Sequence, residues 1–173
     1  MTKSFVTRSF SAAAAAAVLM CTTTAFAFNQ WNVNATSCVA DAGSIFNQLY
    51  LGTGGTVKFA AGKTGNIVLY CPVSDPGFKP TLLGLVYYDD TRDPGNHVTA
   101  QLIKMDISTG LITQLVLVDS DGGVVSTGGN ANLTPHTFTE NYDFKNFAYY
   151  IRIDIARNTP TANETVYAVS LQD

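Results

Sequence analysis

The chain has 173 residues, 46% of them hydrophobic and only 13% charged, with a formal net charge of −3. So mild an acidic balance leaves no electrostatic footprint for nucleic acid or an anionic membrane. The length is that of one domain able to bury a core of its own without metal support.

Residues 1–27, "MTKSFVTRSFSAAAAAAVLMCTTTAFA", have the three-part layout of a secretory signal peptide. Lys3 and Arg8 form a basic leader, Ser11 to Met20 an apolar stretch, and Ala25-Phe26-Ala27 a small-x-small cleavage pattern. The apolar run is too short to cross a bilayer. Cleavage after Ala27 leaves residues 28–173 as a single expected domain. Losing Lys3 and Arg8 takes the 10 basic residues to 8 against 13 acidic ones, a formal charge of −5. The expected address is extracytoplasmic, whether periplasmic, secreted or surface-attached. Cys21 departs with the leader, so Cys38 and Cys71 remain, and an even pair in an exported chain reads as a disulfide.

In chain order, "FNQWNVNATSCV" (28–39) is extended, as a first strand or as a donor strand completing a neighbour's sheet. "DAGSIFNQLY" (41–50) spaces Ala42, Ile45, Phe46 and Leu49 as a short helix would, though its composition also suits a strand. "GTVKFAA", "NIVLYCPV" and "TLLGLVYY" follow as strands. The polar stretch "YYDDTRDPGNHV" (87–98) separates them from "HVTAQLIKMDI", where Ile103, Met105 and Ile107 are expected inward and Lys104 and Asp106 outward. "STGL" (108–111) reads as a hairpin turn into "LITQLVLV", whose two apolar faces suit a central strand. "DSDGG" (119–123) reads as a second hairpin turn, and "TGGNANLTP" as a loop. "FAYYIRIDIA" alternates cleanly, with Phe147, Tyr149, Ile151, Ile153 and Ile155 on one face and Tyr150, Arg152 and Asp154 on the other. The loop "RNTPTANE" and the strand "TVYAVSL" close the pattern. Eight to ten short strands with regular turns predict an all-β fold, an antiparallel β-sandwich of jelly-roll type.

Cys71-Pro72-Val73 closes one strand, and a run "LLGLVYYDD" and a glycine-turned hairpin follow. In this, the middle half of the chain resembles small exported bacterial β-sandwich proteins of unknown function. That resemblance implies no catalytic residues.

Two features carry candidate chemistry. If "TLLGLVYY", "HVTAQLIKM" and "LITQLVLV" form a meander, the loops at 89–96 and 119–123 emerge at one end of the sheet. Asp89, Asp90, Asp93, Asp119 and Asp121 then share a rim. Gathered carboxylates suit a hard cation such as Ca2+. The same residues are also what tight turns use for side-chain-to-backbone bonds, the favoured reading, with Arg92 offsetting part of the charge. The second feature is aromatic. Tyr150 points outward, among Trp31, Tyr70, Tyr87 and Tyr88, either for cross-strand packing or as a face on which sugar rings stack.

Catalytic constellations are not evident. His97 and His136 are far apart and stand in no metalloprotease or nucleophile-elbow motif, and Glu140 and Glu164 have no recognisable carboxylate partner. The expected function is an exported, non-catalytic module with a binding or structural role, its partner a glycan or a further copy of itself. The alternatives are a carbohydrate hydrolase or lyase on a jelly roll, and a self-assembling, pilus-like surface subunit.

Overall fold

The computed structural model describes residues 29–45, 49–52, 54–91, 93–123 and 132–173. The leader 1–27 and Arg92 lie outside them. The described residues form eleven strands: β1 (Gln30–Asn34), β2 (Val39–Ala40), β3 (Leu49–Gly52), β4 (Thr56–Phe59), β5 (Gly65–Val73), β6 (Leu82–Tyr88), β7 (Asn96–Asp106), β8 (Ile112–Asp119), β9 (Asn132–Thr137), β10 (Phe147–Arg157) and β11 (Thr165–Gln172). They form two antiparallel sheets. The first runs β3-β4-β11-β6-β9, with β1 also on β11, and the second runs β2-β5-β10-β7-β8. This is the expected β-sandwich.

The core lies between the sheets, and alternation builds it. From the second sheet come Ile151, Ile153 and Ile155 of β10, flanked by Cys71, Leu69 and Ile67 of β5 and by Leu102, Ala100 and Val98 of β7. The first sheet answers with Leu83, Leu85 and Tyr87 of β6 and Val169 and Leu171 of β11, all fully buried. Each such Leu or Ile contributes about 1.5–3 kcal/mol by leaving water. Cys38 and Cys71 are bonded across 33 residues, tying the segment between β1 and β2 to β5.

Several local expectations are corrected. The meander does not form, because β6 pairs with β11 and β9 in the first sheet while β7 and β8 belong to the second. "LITQLVLV" is an edge strand with Ile112 and Leu117 exposed, not a central one. On β7 the inward set is Val98, Ala100 and Leu102. Ile103 lies opposite outward Tyr150, and Lys104 opposite buried Tyr149, so the parity is the reverse of the expected one. Lys104 is held there by Glu140 at 2.8 Å and by the Phe147 ring beneath it. Ile107 is exposed.

"STGL" is a hairpin turn as expected. Gly110 has φ 73°, and the Asp106 carboxylate accepts from the Ser108 and Thr109 amides. "DSDGG" is instead a short 3₁₀ turn, Ser120–Gly122, leaving β8 for the other sheet. The end of "TGGNANLTP" is strand β9, whose Pro135 is tolerated because β9 is an edge. Of residues 41–50, those described hold both expected forms, a helical turn α1 (Ala42–Ile45) and the start of β3, and Phe46 lies outside the described residues. β1 takes its place in the chain's own first sheet against β11.

Candidate functional site

The loop after β6 and the turn after β8 do meet, although not through a meander. The Ser120 hydroxyl donates to Asp89 Oδ2 at 2.5 Å and also accepts from the Val98 amide at the start of β7. The five rim carboxylates then divide by environment. Asp93 accepts from the Gly95 amide and the Asn96 side chain, and Asp119 from the Asp121 amide, both as turn chemistry. Asp121 keeps one buried oxygen, Oδ1, without a hydrogen-bond partner among the described residues. Burial, then Asp119 and Asp89, raises its carboxyl above the ordinary range.

Asp89 and Asp90 group elsewhere. Their oxygens lie within 4.8 Å of those of Glu164, just ahead of β11. Asp89 is buried, and its Oδ1 accepts from the Thr91 amide at 3.0 Å; Asp90 is exposed and accepts from the Asn163 amide at 3.1 Å. The Glu164 side chain has no exposed surface. Burial drives its carboxyl up to about 7, with Asp89 and Asp90 adding to the rise and its own amide and Arg157 opposing it. A carboxyl sealed from solvent in this way does not serve as the acid of an open catalytic cleft.

The second site is a cleft of about 520 Å³ on the outer face of the second sheet. Its floor follows from strand alternation. With Ile151, Ile153 and Ile155 inward, β10 presents Arg152, Asp154 and Ala156 outward. The register sets Gln101, Thr99 and His97 of β7 beside them, and Asn66 of β5 beside Ala156. Pro94, Gly95 and Asn158 close one end, and Leu117 of β8 flanks the row. The end is tight because the Asn158 amide donates to the Gly95 carbonyl at 2.9 Å, and a Cβ on Gly95 would lie 2.5 Å from the Asn158 side chain. Buried Asn96 holds both loops there, its Oδ1 accepting from the amides of Asn158 and Thr159.

Arg152 and Asp154 pair at 2.7 Å through one guanidinium nitrogen and one carboxylate oxygen. Arg152 Nε, Asp154 Oδ2 and His97 Nδ1 are buried yet have no hydrogen-bond partner among the described residues. Orphan polar atoms of this kind are rare in folded chains and are commonly completed by water or ligand. Tyr70, opposite Arg152 on β5, packs edge-on to Tyr150 with ring centroids 6.0 Å apart, so the aromatic pair borders the cleft. Of the other aromatics, Tyr87 is fully buried, Trp31 packs against the core, and His136 is exposed on β9.

No family model matches the chain, and no curated protein matches it. Among solved structures it is similar to the xylan-binding module CBM15, at 15% identity and TM-score 0.48, over 83% of this chain and 95% of that one. It is similar also to a family two carbohydrate esterase from Cellvibrio japonicus, at 13% identity and TM-score 0.40. That match spans 84% of this chain but only 34% of the esterase. A structure of infectious bursal disease virus matches at 14% identity and TM-score 0.36, over 85% of this chain and 32% of that one. The fold rests on the strand pairing described above.

Alternation along β10 puts Arg152 and Asp154 on a solvent face but does not by itself reveal a site. The available signal was the kind of outward residue. His97, Thr99 and Gln101 on one strand beside Arg152 and Asp154 on another make a face of planar hydrogen-bonding groups, where a purely solvated face more often carries Lys and Glu.

Proposed function

We propose that this protein is an exported, non-catalytic β-sandwich module that binds a glycan in the cleft over β5, β10, β7 and β8. The observation that carries the reading is that Arg152, Asp154 and His97 line one cleft, and that each holds a buried polar atom (Nε, Oδ2 and Nδ1) with no hydrogen-bond partner among the described residues. Sugar hydroxyls both donate and accept, so one chain of hydroxyls can satisfy the guanidinium and the carboxylate together. Gln101, Asn66, Asn158 and Thr99 extend the same chemistry along the floor. The Tyr70–Tyr150 pair supplies apolar surface beside it for the ring faces. Export is supported by the leader at 1–27 and by the Cys38–Cys71 bond. Among the described residues no helix is long and apolar enough to cross a membrane.

The test is affinity electrophoresis of residues 28–173 through gels holding neutral and acidic polysaccharides, with calorimetry on oligosaccharides of any that retard it. Retardation by at least one polymer is expected. It should weaken by roughly 10–100-fold in Arg152→Ala, the worth of a charge-assisted hydrogen bond. Passage unretarded through every gel, or retardation that Arg152→Ala and Gln101→Ala both leave intact, would refute the reading. One observation favours a hydrolase or lyase instead: His97 and Asp154 line the same cleft. New reducing ends or unsaturated products from a retarding polymer, lost in His97→Ala, would establish that alternative.

A further inference from the structure

Thr165 stands opposite Tyr88 in the β11–β6 ladder, so Glu164 and Asp89, one residue beyond it, meet at its end. With Asp90 they bring carboxylate oxygens within 4.8 Å of one another. Neither Glu164 oxygen has a hydrogen-bond partner among the described residues, and its side chain is wholly buried. Its ion-pair partner, Arg157, is 3.9 Å away and donates instead to the carbonyls of Thr159 and Pro160. A sealed carboxylate with orphan oxygens beside two more carboxylates needs an explanation, because buried charge demands a counter-charge and bonded partners.

The geometry points to a divalent-cation site at this corner, held by Asp89, Asp90 and Glu164 and fitted to calcium. Oxygens on one calcium, each 2.3–2.6 Å from it, lie at most about 5 Å apart, a spacing the three side chains already keep. The bonds from Ser120 and Thr91 to Asp89, and from Asn163 to Asp90, fix these ligands in place. Exposed Asp90 gives the ion an entry and room for water ligands. The bound ion would join the loop after β6 to the segment before β11. Asp93, Asp119 and Asp121 lie outside this set, so the site is not the rim that the sequence suggests.

The protein is stripped with EDTA and its melting temperature followed as CaCl2 is added, with calorimetry for stoichiometry. One ion per chain is expected, with a rise of about 5–10 °C once calcium reaches 100 times its dissociation constant. Glu164→Gln and Asp90→Asn should each abolish the rise, and Asp90 is exposed enough that its variant will fold. Asp93→Asn, Asp121→Asn and the cleft variant Arg152→Ala should keep it, so this site and the glycan cleft stand or fall separately. No calcium heat, a rise matched by NaCl of equal ionic strength, or a rise kept by both Glu164→Gln and Asp90→Asn would overturn the site.

Discussion

Glu164 makes a sharp prediction about stability and pH in the ion-free protein. In the unfolded chain its carboxyl titrates near the ordinary 4.5, and in the fold it titrates at about 7. The folded state therefore holds a proton that the unfolded state gives up. Below pH 4.5 the protonated side chain costs nothing extra. As pH rises through 7 the folded protein must carry a buried charge, and stability is lost. A gap of about 2.5 pH units at 1.36 kcal/mol each makes the loss about 3 kcal/mol, complete a little above pH 7. Asp106 and Asp143 have carboxyls pulled below the ordinary range by hydrogen bonds from Ser108 and Asn146, so their contribution is lost only at more acid pH. Asp121 is raised and acts in the same direction as Glu164, which is why the informative quantity is a difference. The assay is urea denaturation in EDTA from pH 4 to 8.5, for the parent and for Glu164→Gln, whose amide keeps the shape and cannot ionise. The parent should fall relative to the variant by about 3 kcal/mol across the range. Two profiles that run parallel would refute the argument, because Glu164 would then titrate alike in both states.

Three further outcomes follow from the packing. Replacing both Cys38 and Cys71 by Ala should lower the free energy of unfolding by about 3–4 kcal/mol, the chain-entropy worth of a 33-residue closure, and a loss under 1 kcal/mol in urea would contradict it. A Cβ on Gly123 would lie 2.1 Å from the hydroxyl of fully buried Tyr87, so Gly123→Ala should destabilise by about 1–3 kcal/mol in thermal or urea melts. An unchanged melt would mean that this turn can move. Tyr150→Ala should weaken a glycan ligand about two- to ten-fold in calorimetry, while the partly exposed site limits the effect on folding.

Where each strand lies was largely legible from alternation, because a strand with one wet face records its burial residue by residue. β10 is the clear case: Tyr149, Ile151, Ile153 and Ile155 are buried, as their alternation predicts. Partnership was less legible. β8 is apolar on both faces, as a central strand would be, yet hydrophobicity reports contact with water and not which backbone groups are hydrogen-bonded. β7 departs from its pattern for another reason: apolar Ile103 and Met105 lie on the outer face, and Lys104 occupies an inward position through Glu140 and Phe147. β6 crossed to the other sheet instead of pairing with its neighbour in the chain, which no local pattern announces. The acidic corner was half visible. Asp89 and Asp90 stand out in any reading, whereas Glu164 joins them from 75 positions further on through a ladder whose register depends on the finished sheet.

The placement of β11 bears on when this chain can become a folded object at all. It follows every other strand in order, yet it is bonded to β1, β4 and β6, and so forms the spine of its sheet. A nascent chain that stops short of Thr165 has its first sheet in pieces, β3 with β4 and β6 with β9, and β1 without its partner. Long-range pairing of this kind delays collapse until the whole domain is present. Folding of the first sheet is therefore coupled to the arrival of β11, and the two halves of that sheet gain their common support in a single late step.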